Sequence, residues 1–118
     1  MSTTLYGISN CDTVKKARIW LETHAIEYHF HDFRKDGLAA AQVKKWLDAL
    51  GSDTLINRRG TTFRQLDENQ KQQLESDPIA VLCEYPALIK RPVLSTGKQL
   101  TVGFKPELYQ SLFTQHTL

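Results

Sequence analysis

The chain has 118 residues, of which 41% are hydrophobic and 24% charged, and its formal net charge is +2. These values are ordinary for one globular domain, and the scattered basic residues form no stripe or tail of the kind that binds nucleic acid directly. No apolar run approaches the roughly 20 residues that span a bilayer, and residues 1–4 lack the features of a signal peptide, so we expect a cytoplasmic protein without membrane contact.

The first third of the chain predicts a βαβ unit. A short strand over Leu5–Ile8 is followed by a helix over Thr13–Thr23, whose apolar residues recur at helical spacing, with Asp12 or Thr13 as the cap residue. A second strand is predicted over Glu27–Phe33. Because strand, helix and strand fit into about thirty residues, the two strands should be parallel.

One cysteine, Cys11, lies between this first strand and the helix. A thiol in that place faces unpaired backbone N–H groups and the positive end of the helix dipole, which favour the thiolate, the form that attacks electrophiles. An ordinary small loop residue is the alternative interpretation. Two cysteines in a reducing cytoplasm do not argue for a structural disulfide. The pattern therefore predicts one nucleophilic sulfur.

The middle of the chain, from about residue 37 to 88, is predicted to be a helical insertion. A turn at Arg34–Gly37 precedes an amphipathic helix over Leu38–Leu50 that Gly51 ends. Shorter helices are predicted over Glu68–Glu75 and Pro78–Glu84, the second with proline in its first turn.

The end of the chain predicts a β-hairpin and a last helix. Val93–Ser95 and Gln99–Val102 are the strands, Thr96–Lys98 is the turn, and Pro106–Phe113 is the helix. The order βαβ, helical insertion, ββα predicts a single α/β domain over residues 1–118, with a mixed four-stranded sheet.

With these elements the chain resembles the ArsC/Spx family, a thioredoxin-fold group that holds glutaredoxin-dependent arsenate reductases and Spx regulators. Within the family it is most similar to the small YffB-type proteins, regarded as glutathione-dependent thiol reductases. The resemblance covers essentially the whole chain and is carried by four segments, residues 11–17, 55–59, 86–92 and 102–104. It implies a thioredoxin-like fold, a reactive thiol at Cys11, and a cis peptide bond between Arg91 and Pro92 that faces this thiol.

The resemblance also implies cationic side chains around the thiol. Arg91 matches one family arginine, and Arg59 matches another, although its neighbour Arg58 leaves this register open. The third family arginine is either replaced by Lys105 or absent. A lysine is a point charge and cannot offer the planar fork with which arginine holds an oxyanion, so arsenate is disfavoured as the natural substrate. The predicted binding residues for glutathione or substrate are Asn10, Arg59, Arg91, Pro92 and Lys105.

The second thiol of a CxxC switch is absent from this sequence. Spx regulators often carry that cysteine three residues after the first, where this chain has Val14, so Cys11 acts as a monothiol or is resolved by another thiol. Cys83, in an apolar predicted helix, is either a small buried hydrophobe or a resolving cysteine. The histidines and cysteines form no metal pattern, and we expect no metal and no bound cofactor.

The sequence thus predicts a glutathione-dependent thiol reductase. The Cys11 thiolate attacks a disulfide or another electrophile, and a second thiol releases the resulting mixed disulfide, with glutathione as co-substrate. One alternative is an arsenate reductase that uses glutathione or glutaredoxin. Another is a non-enzymatic, Spx-like protein that binds RNA polymerase.

Overall fold

The computed structural model describes residues 2–114 and, of Thr114, only the backbone. The chain divides into two compact units. The first unit comprises the chain up to Lys35 and from Arg91 onward, and the second comprises Asp36–Lys90, which contains the segment predicted as a helical insertion. Over residues 2–114, no helix has both the length and the apolar character that crossing a bilayer requires.

The first unit is built on a four-stranded sheet. Its strands are β1 (Thr4–Gly7), β2 (His29–Asp32), β3 (Val93–Ser95) and β4 (Leu100–Val102), in the spatial order β2-β1-β3-β4. β1 pairs parallel with β2, as the βαβ interpretation predicted, whereas β3 pairs antiparallel with both β1 and β4. The mixed sheet and the α/β class are confirmed.

Helices connect and cover these strands. In chain order they are α1 (Asp12–Thr23), α2 (Phe33–Asp36), α3 (Ala40–Leu50), α4 (Ser52–Leu55), α5 (Thr61–Arg64), α6 (Glu68–Ser76), α7 (Pro78–Glu84), a 3₁₀ turn (Pro86–Leu88) and α8 (Pro106–Thr114). The core of the first unit joins one face of the sheet to α1 and α8, through the buried side chains of Leu5, Leu94, Val14, Ala17, Leu21, Tyr109 and Leu112. This packing holds α1 against the sheet, and so determines the position of the loop between β1 and α1.

The second unit is helical and has its own buried side chains. α7 packs against α3 and α6, and Trp46 of α3 and Leu82 of α7 are almost fully buried. Asp67 begins α6 with a capping box, in which its carboxylate accepts from the Gln70 N–H at 2.8 Å and its own N–H donates to the Gln70 side chain at 2.9 Å. Pro78 opens α7 in the position predicted.

The predicted end of the second strand is wrong by one residue, with a structural reason. The strand predicted over Glu27–Phe33 ends at Asp32, whose carboxylate accepts a hydrogen bond from the N–H of Arg34 at 2.8 Å. That bond turns the backbone into the single helical turn α2, which begins at Phe33. The turn predicted at Arg34–Gly37 is therefore mostly helical.

Other differences are small shifts and short elements. β1 and α1 each begin one residue earlier than predicted, and α3 begins at Ala40 rather than Leu38. The single-turn helices α4 and α5 and the 3₁₀ turn were not predicted, because elements of three or four residues are too short to show a hydrophobic period.

Candidate functional site

Cys11 is the N-cap residue of α1. Its extended backbone (φ −91°, ψ 127°) donates from its N–H to the Ile8 carbonyl at 3.1 Å and accepts at its own carbonyl from the Lys15 N–H at 3.0 Å. The prediction of Asp12 or Thr13 as cap is therefore wrong. Sulfur is a weak acceptor, so cap preferences do not select cysteine, and the Cys11 side chain makes no capping hydrogen bond.

This position exposes the thiol to the field of the helix terminus. The first N–H groups of α1 lack an oxygen acceptor from the cap residue, and their partial positive charge favours an anion at the sulfur. Exposed Asp12 and exposed Lys15 add charges of opposite sign nearby. The thiol is free and half-buried, with one side packed against the core of the first unit. Cys11 thus keeps part of its surface exposed beside the start of α1.

Gly7 lets α1 approach β1 closely. A Cβ atom built on Gly7 would lie 2.7 Å from Cγ2 of Val14, a separation that real Cβ contacts essentially never show. Val14 itself, in the first turns of α1, is fully buried. Glycine at position 7 therefore allows the short distance between β1 and the start of α1, where Cys11 is the N-cap.

Asp32 supports the same loop from the neighbouring strand. This carboxylate is 4% exposed and accepts hydrogen bonds from the N–H groups of Arg34, at 2.8 Å, and Lys35 and from both the N–H and the hydroxyl of Ser9. Burial alone would raise the pKa of Asp32, but the four hydrogen bonds outweigh it and the pKa is lowered. An ionised carboxylate thus holds the loop that leads to Cys11.

The Arg91–Pro92 peptide bond is cis, as the resemblance implied. Because β3 runs antiparallel to β1, with Val93 opposite Tyr6, the residues that precede β3 lie at the end of the sheet where β1 leads into the Cys11 loop. Pro92 is buried there and Arg91 is half-buried.

Lys105 belongs to the same end of the sheet. β4 is antiparallel to β3, with Val102 opposite Val93, so it ends where β3 begins. The N–H of Gly103 donates to the Pro92 carbonyl at 2.9 Å and ties this end of β4 to the start of β3. Lys105 follows two residues later and is exposed, as is Asn10 in the thiol loop. The first unit thus carries all of the predicted site residues except Arg59 at one end of its sheet.

The two neighbouring arginines of the second unit have different surroundings. Arg58 is held in two ion pairs, with Nη1 3.1 Å from Oδ1 of Asp53 and Nη2 3.1 Å from Oε1 of Glu75. These pairs link α4, the loop after it, and α6, so the Arg58 guanidinium is already paired within this unit.

Arg59 has a fixed backbone and an exposed side chain. Its N–H donates to the side-chain oxygen of Asn57 at 3.2 Å, and its carbonyl accepts from Nη2 of Arg64 at 2.8 Å. Its guanidinium has no hydrogen bond or ion pair within residues 2–114. A depression of about 590 Å³ beside it is lined by Asp53, Ile56, Asn57, Arg58, Arg59 and Lys90. Of the two arginines, Arg59 is the one available to a ligand.

Cys83 lies in α7 of the second unit as a free, half-buried thiol. Burial raises the pKa of Cys83, so it is mostly protonated near neutral pH. These surroundings favour the small buried hydrophobe over an attacking thiol, and the resolving role stays a prediction. In the part of the chain that the structure describes, no three His, Cys, Asp or Glu side chains are grouped to hold a metal ion.

Comparisons with known proteins give one family. The model of the ArsC family matches residues 6–112. The solved structure of the YFFB protein is 46% identical, covers 93% of this chain and 97% of its own, and has a TM-score of 0.88. An arsenate reductase (ArsC) related protein from Brucella melitensis is 46% identical over 96% of this chain and 95% of its own, with a TM-score of 0.75. The global transcriptional regulator Spx of Listeria innocua is 33% identical over 110 residues, 88% of this chain and 81% of its own.

Proposed function

The chain belongs to the ArsC family, and from this membership and the local geometry we propose that it is a glutathione-dependent thiol reductase with Cys11 as nucleophile. One observation carries the proposal. Cys11 stands at the N-cap of α1, half-buried and with no capping hydrogen bond from its side chain, where a helix terminus stabilises a negative charge. A cysteine with a purely structural role has no need of this position.

The proposed reaction has two exchange steps. The Cys11 thiolate attacks the glutathione sulfur of a glutathionylated substrate, forming a disulfide between Cys11 and glutathione and releasing the substrate as a thiolate that takes up a proton. A second glutathione thiolate then attacks this mixed disulfide, releasing oxidised glutathione and regenerating the Cys11 thiolate. Across both steps, the glutathionylated substrate and one glutathione thiol become the substrate thiol and oxidised glutathione, so the substrate sulfur is reduced at the expense of that one thiol. Val14 in place of a second cysteine supports external resolution.

Glutathione carries two carboxylates, and the proposed site offers cations for them. Half-buried Arg91 can hold a carboxylate through two parallel hydrogen bonds, whereas exposed Lys105 offers a point charge. Asn10, beside the thiol, adds an amide, and buried Pro92 shapes the sheet end. We propose these four residues as the glutathione site, and Arg59 as a further anion-binding residue whose role is tested by its own substitution.

The reductase is tested with a glutathionylated disulfide substrate, reduced glutathione, and glutathione reductase with NADPH as the coupled readout. We expect Cys11→Ser to abolish turnover and Cys83→Ser, the matched control, to retain it. Mass spectrometry after treatment with oxidised glutathione should find a single adduct, on Cys11. Turnover by Cys11→Ser, or an adduct on Cys83 alone, would contradict the proposal.

Relatives favour two other functions, and each has its own test. The Brucella melitensis protein is named as arsenate reductase-related, so arsenate with glutathione and glutaredoxin replaces the disulfide substrate in the same coupled assay. The Listeria innocua relative is a transcriptional regulator, so capture of RNA polymerase by wild type and Cys11→Ser is the second test. Polymerase binding that survives Cys11→Ser, without turnover in wild type, would assign the chain to the regulators.

A further inference from the structure

Asp32 makes contacts that the proposed reaction does not use directly. In the register of the parallel pair it lies beside Gly7, the last residue of β1, and it is the last residue of β2. Its carboxylate is 4% exposed, yet it is surrounded by donors rather than by apolar groups alone. A buried carboxylate with several N–H and O–H donors is a fixed anion that orders whatever donates to it.

The donors come from two directions. Arg34 and Lys35 donate from α2, which follows β2 directly, and their hydrogen bonds shape the turn out of that strand. Ser9 donates from the other chain segment, the loop between β1 and α1, with both its N–H and its hydroxyl. Asp32 therefore holds both the loop that follows β1 and the turn that follows β2.

The loop held by Ser9 is the loop that carries the thiol. It is short, and its far side is closed by the hydrogen bond from the Cys11 N–H to the Ile8 carbonyl at 3.1 Å. Ser9 and Asn10 lie between Ile8 and Cys11. Ser9 is bonded to Asp32, and Asn10 is exposed. The position of the Cys11 backbone at the N-cap thus depends on contacts on both sides of the loop.

We infer that Asp32 is a positioning residue for Cys11, which holds the sulfur at the terminus of α1 through its hydrogen bonds to Ser9. The catalytic meaning of this inference rests on the proposed function, but its direct consequence is the reactivity of one thiol, whatever the substrate. Without the anchor, the loop samples conformations in which the sulfur leaves the helix terminus, and the thiolate loses that stabilisation.

The test is the rate at which iodoacetamide alkylates Cys11 at neutral pH in a Cys83→Ala background, where Cys11 is the remaining cysteine. Loss of a hydrogen bond to a charged group changes a local equilibrium by roughly tenfold, so we expect Ser9→Ala and Asp32→Asn each to slow alkylation about three- to tenfold. The double variant should be about as slow as Asp32→Asn alone, because the hydroxyl contact that Ser9→Ala removes is one of those that Asp32→Asn weakens. Asp48→Asn, which removes an exposed carboxylate of the second unit, is the matched control and should leave the rate unchanged.

Folding is measured separately for each variant by circular dichroism and urea unfolding, and alkylation is compared where the chain is folded. If Asp32→Asn does not fold, Ser9→Ala still tests the contact, since it removes one hydroxyl from an exposed residue. Unchanged or faster alkylation in folded Ser9→Ala, or additive effects in the double variant, would overturn the inference.

Failure of the proposed function is distinguishable from failure of this inference. Alkylation needs no turnover, so a wild type that reduces no glutathionylated substrate, but shows the expected slowing in both variants, would refute the reductase and retain the positioning role. Normal turnover with unchanged alkylation in the variants would do the reverse.

Discussion

Alanine at position 7 tests how tightly the thiol loop depends on the contact between β1 and α1. The added Cβ would lie 2.7, 3.4 and 3.7 Å from Cγ2, Cγ1 and Cβ of Val14, so the nearest methyl must move by about 1 Å to reach an ordinary contact. Val14 is fully buried, so its methyl groups can move only toward neighbouring atoms of the core. Overpacking of this kind costs about 1–3 kcal/mol, and replacing glycine returns about 0.4–1 kcal/mol through the unfolded chain. We expect Gly7→Ala to destabilise the protein by about 1–2 kcal/mol.

The assay is a double-mutant cycle in urea. Val14→Ala removes the two methyl groups that the new Cβ meets, and by itself costs about 1–3 kcal/mol because it leaves a cavity in the core. In Gly7→Ala/Val14→Ala the new methyl occupies part of that cavity, so the double variant should be more stable than the two single costs predict, by about 1 kcal/mol or more. Iodoacetamide alkylation of Cys11 should fall with Gly7→Ala and recover in the double variant.

A second valine gives the control for this cycle. Val43 is also fully buried, but it lies in α3 of the second unit, whereas the three atoms nearest to the Gly7 Cβ position all belong to Val14. Gly7→Ala and Val43→Ala should therefore be additive within about 0.5 kcal/mol. Additivity in the Val14 cycle as well, or an alanine at position 7 that costs nothing, would show that glycine there does not control the distance between helix and strand.

Further predictions concern charges and thiols. The pKa of Asp32 is lowered on folding, so its contribution to stability is complete above about pH 4 and is lost as the pH falls through the folded value; the stability difference between wild type and Asp32→Asn in urea should shrink between pH 7 and pH 3. Burial raises the pKa of Cys83, so in Cys11→Ser iodoacetamide should alkylate Cys83 more slowly at pH 8 than a free thiol, with the rate rising only at higher pH. Arg58→Ala should cost about 0–1 kcal/mol in urea, whereas Arg59→Ala should leave stability unchanged and raise the KM for the glutathionylated substrate.

The sequence predicted the elements that local signals define. α7 and β3 have the predicted bounds, because Pro78 marks the start of the helix and the strand lies between a proline and a turn with glycine. The parallel pairing of β1 and β2 follows from the length of the βαβ unit alone. The cis bond at Arg91–Pro92 came from the family resemblance and not from any local pattern.

The supports of the thiol could not be predicted in the same way. Asp32 and Ser9 are distant in the sequence, and only the register of the parallel pair brings them together. Because the strand was predicted to continue to Phe33, Asp32 was treated as an ordinary strand residue. A carboxylate at the end of a strand is, however, a common turn signal. Gly7 was a strand residue without a stated role, since its contact with Val14 depends on the packing of α1. Sequence patterns located the candidate thiol, and the pairing of β1 with β2 brought together the residues that hold its loop.

Replacing the N-cap cysteine by serine distinguishes a catalytic role of Cys11 from a role in stability. Serine is among the preferred N-cap residues, since its hydroxyl oxygen accepts hydrogen bonds from the first turn, whereas the Cys11 sulfur accepts none. The thiol also packs partly against the core, and serine would lose some of that apolar contact. The two effects are each about 1 kcal/mol and opposite in sign, so we expect Cys11→Ser to change the free energy of unfolding by less than about 1 kcal/mol while abolishing turnover. A large loss of stability in urea would instead mean that the sulfur is needed for packing. Retained turnover would mean that it is not the nucleophile. A nucleophile need not stabilise the fold, so the proposal predicts neither result.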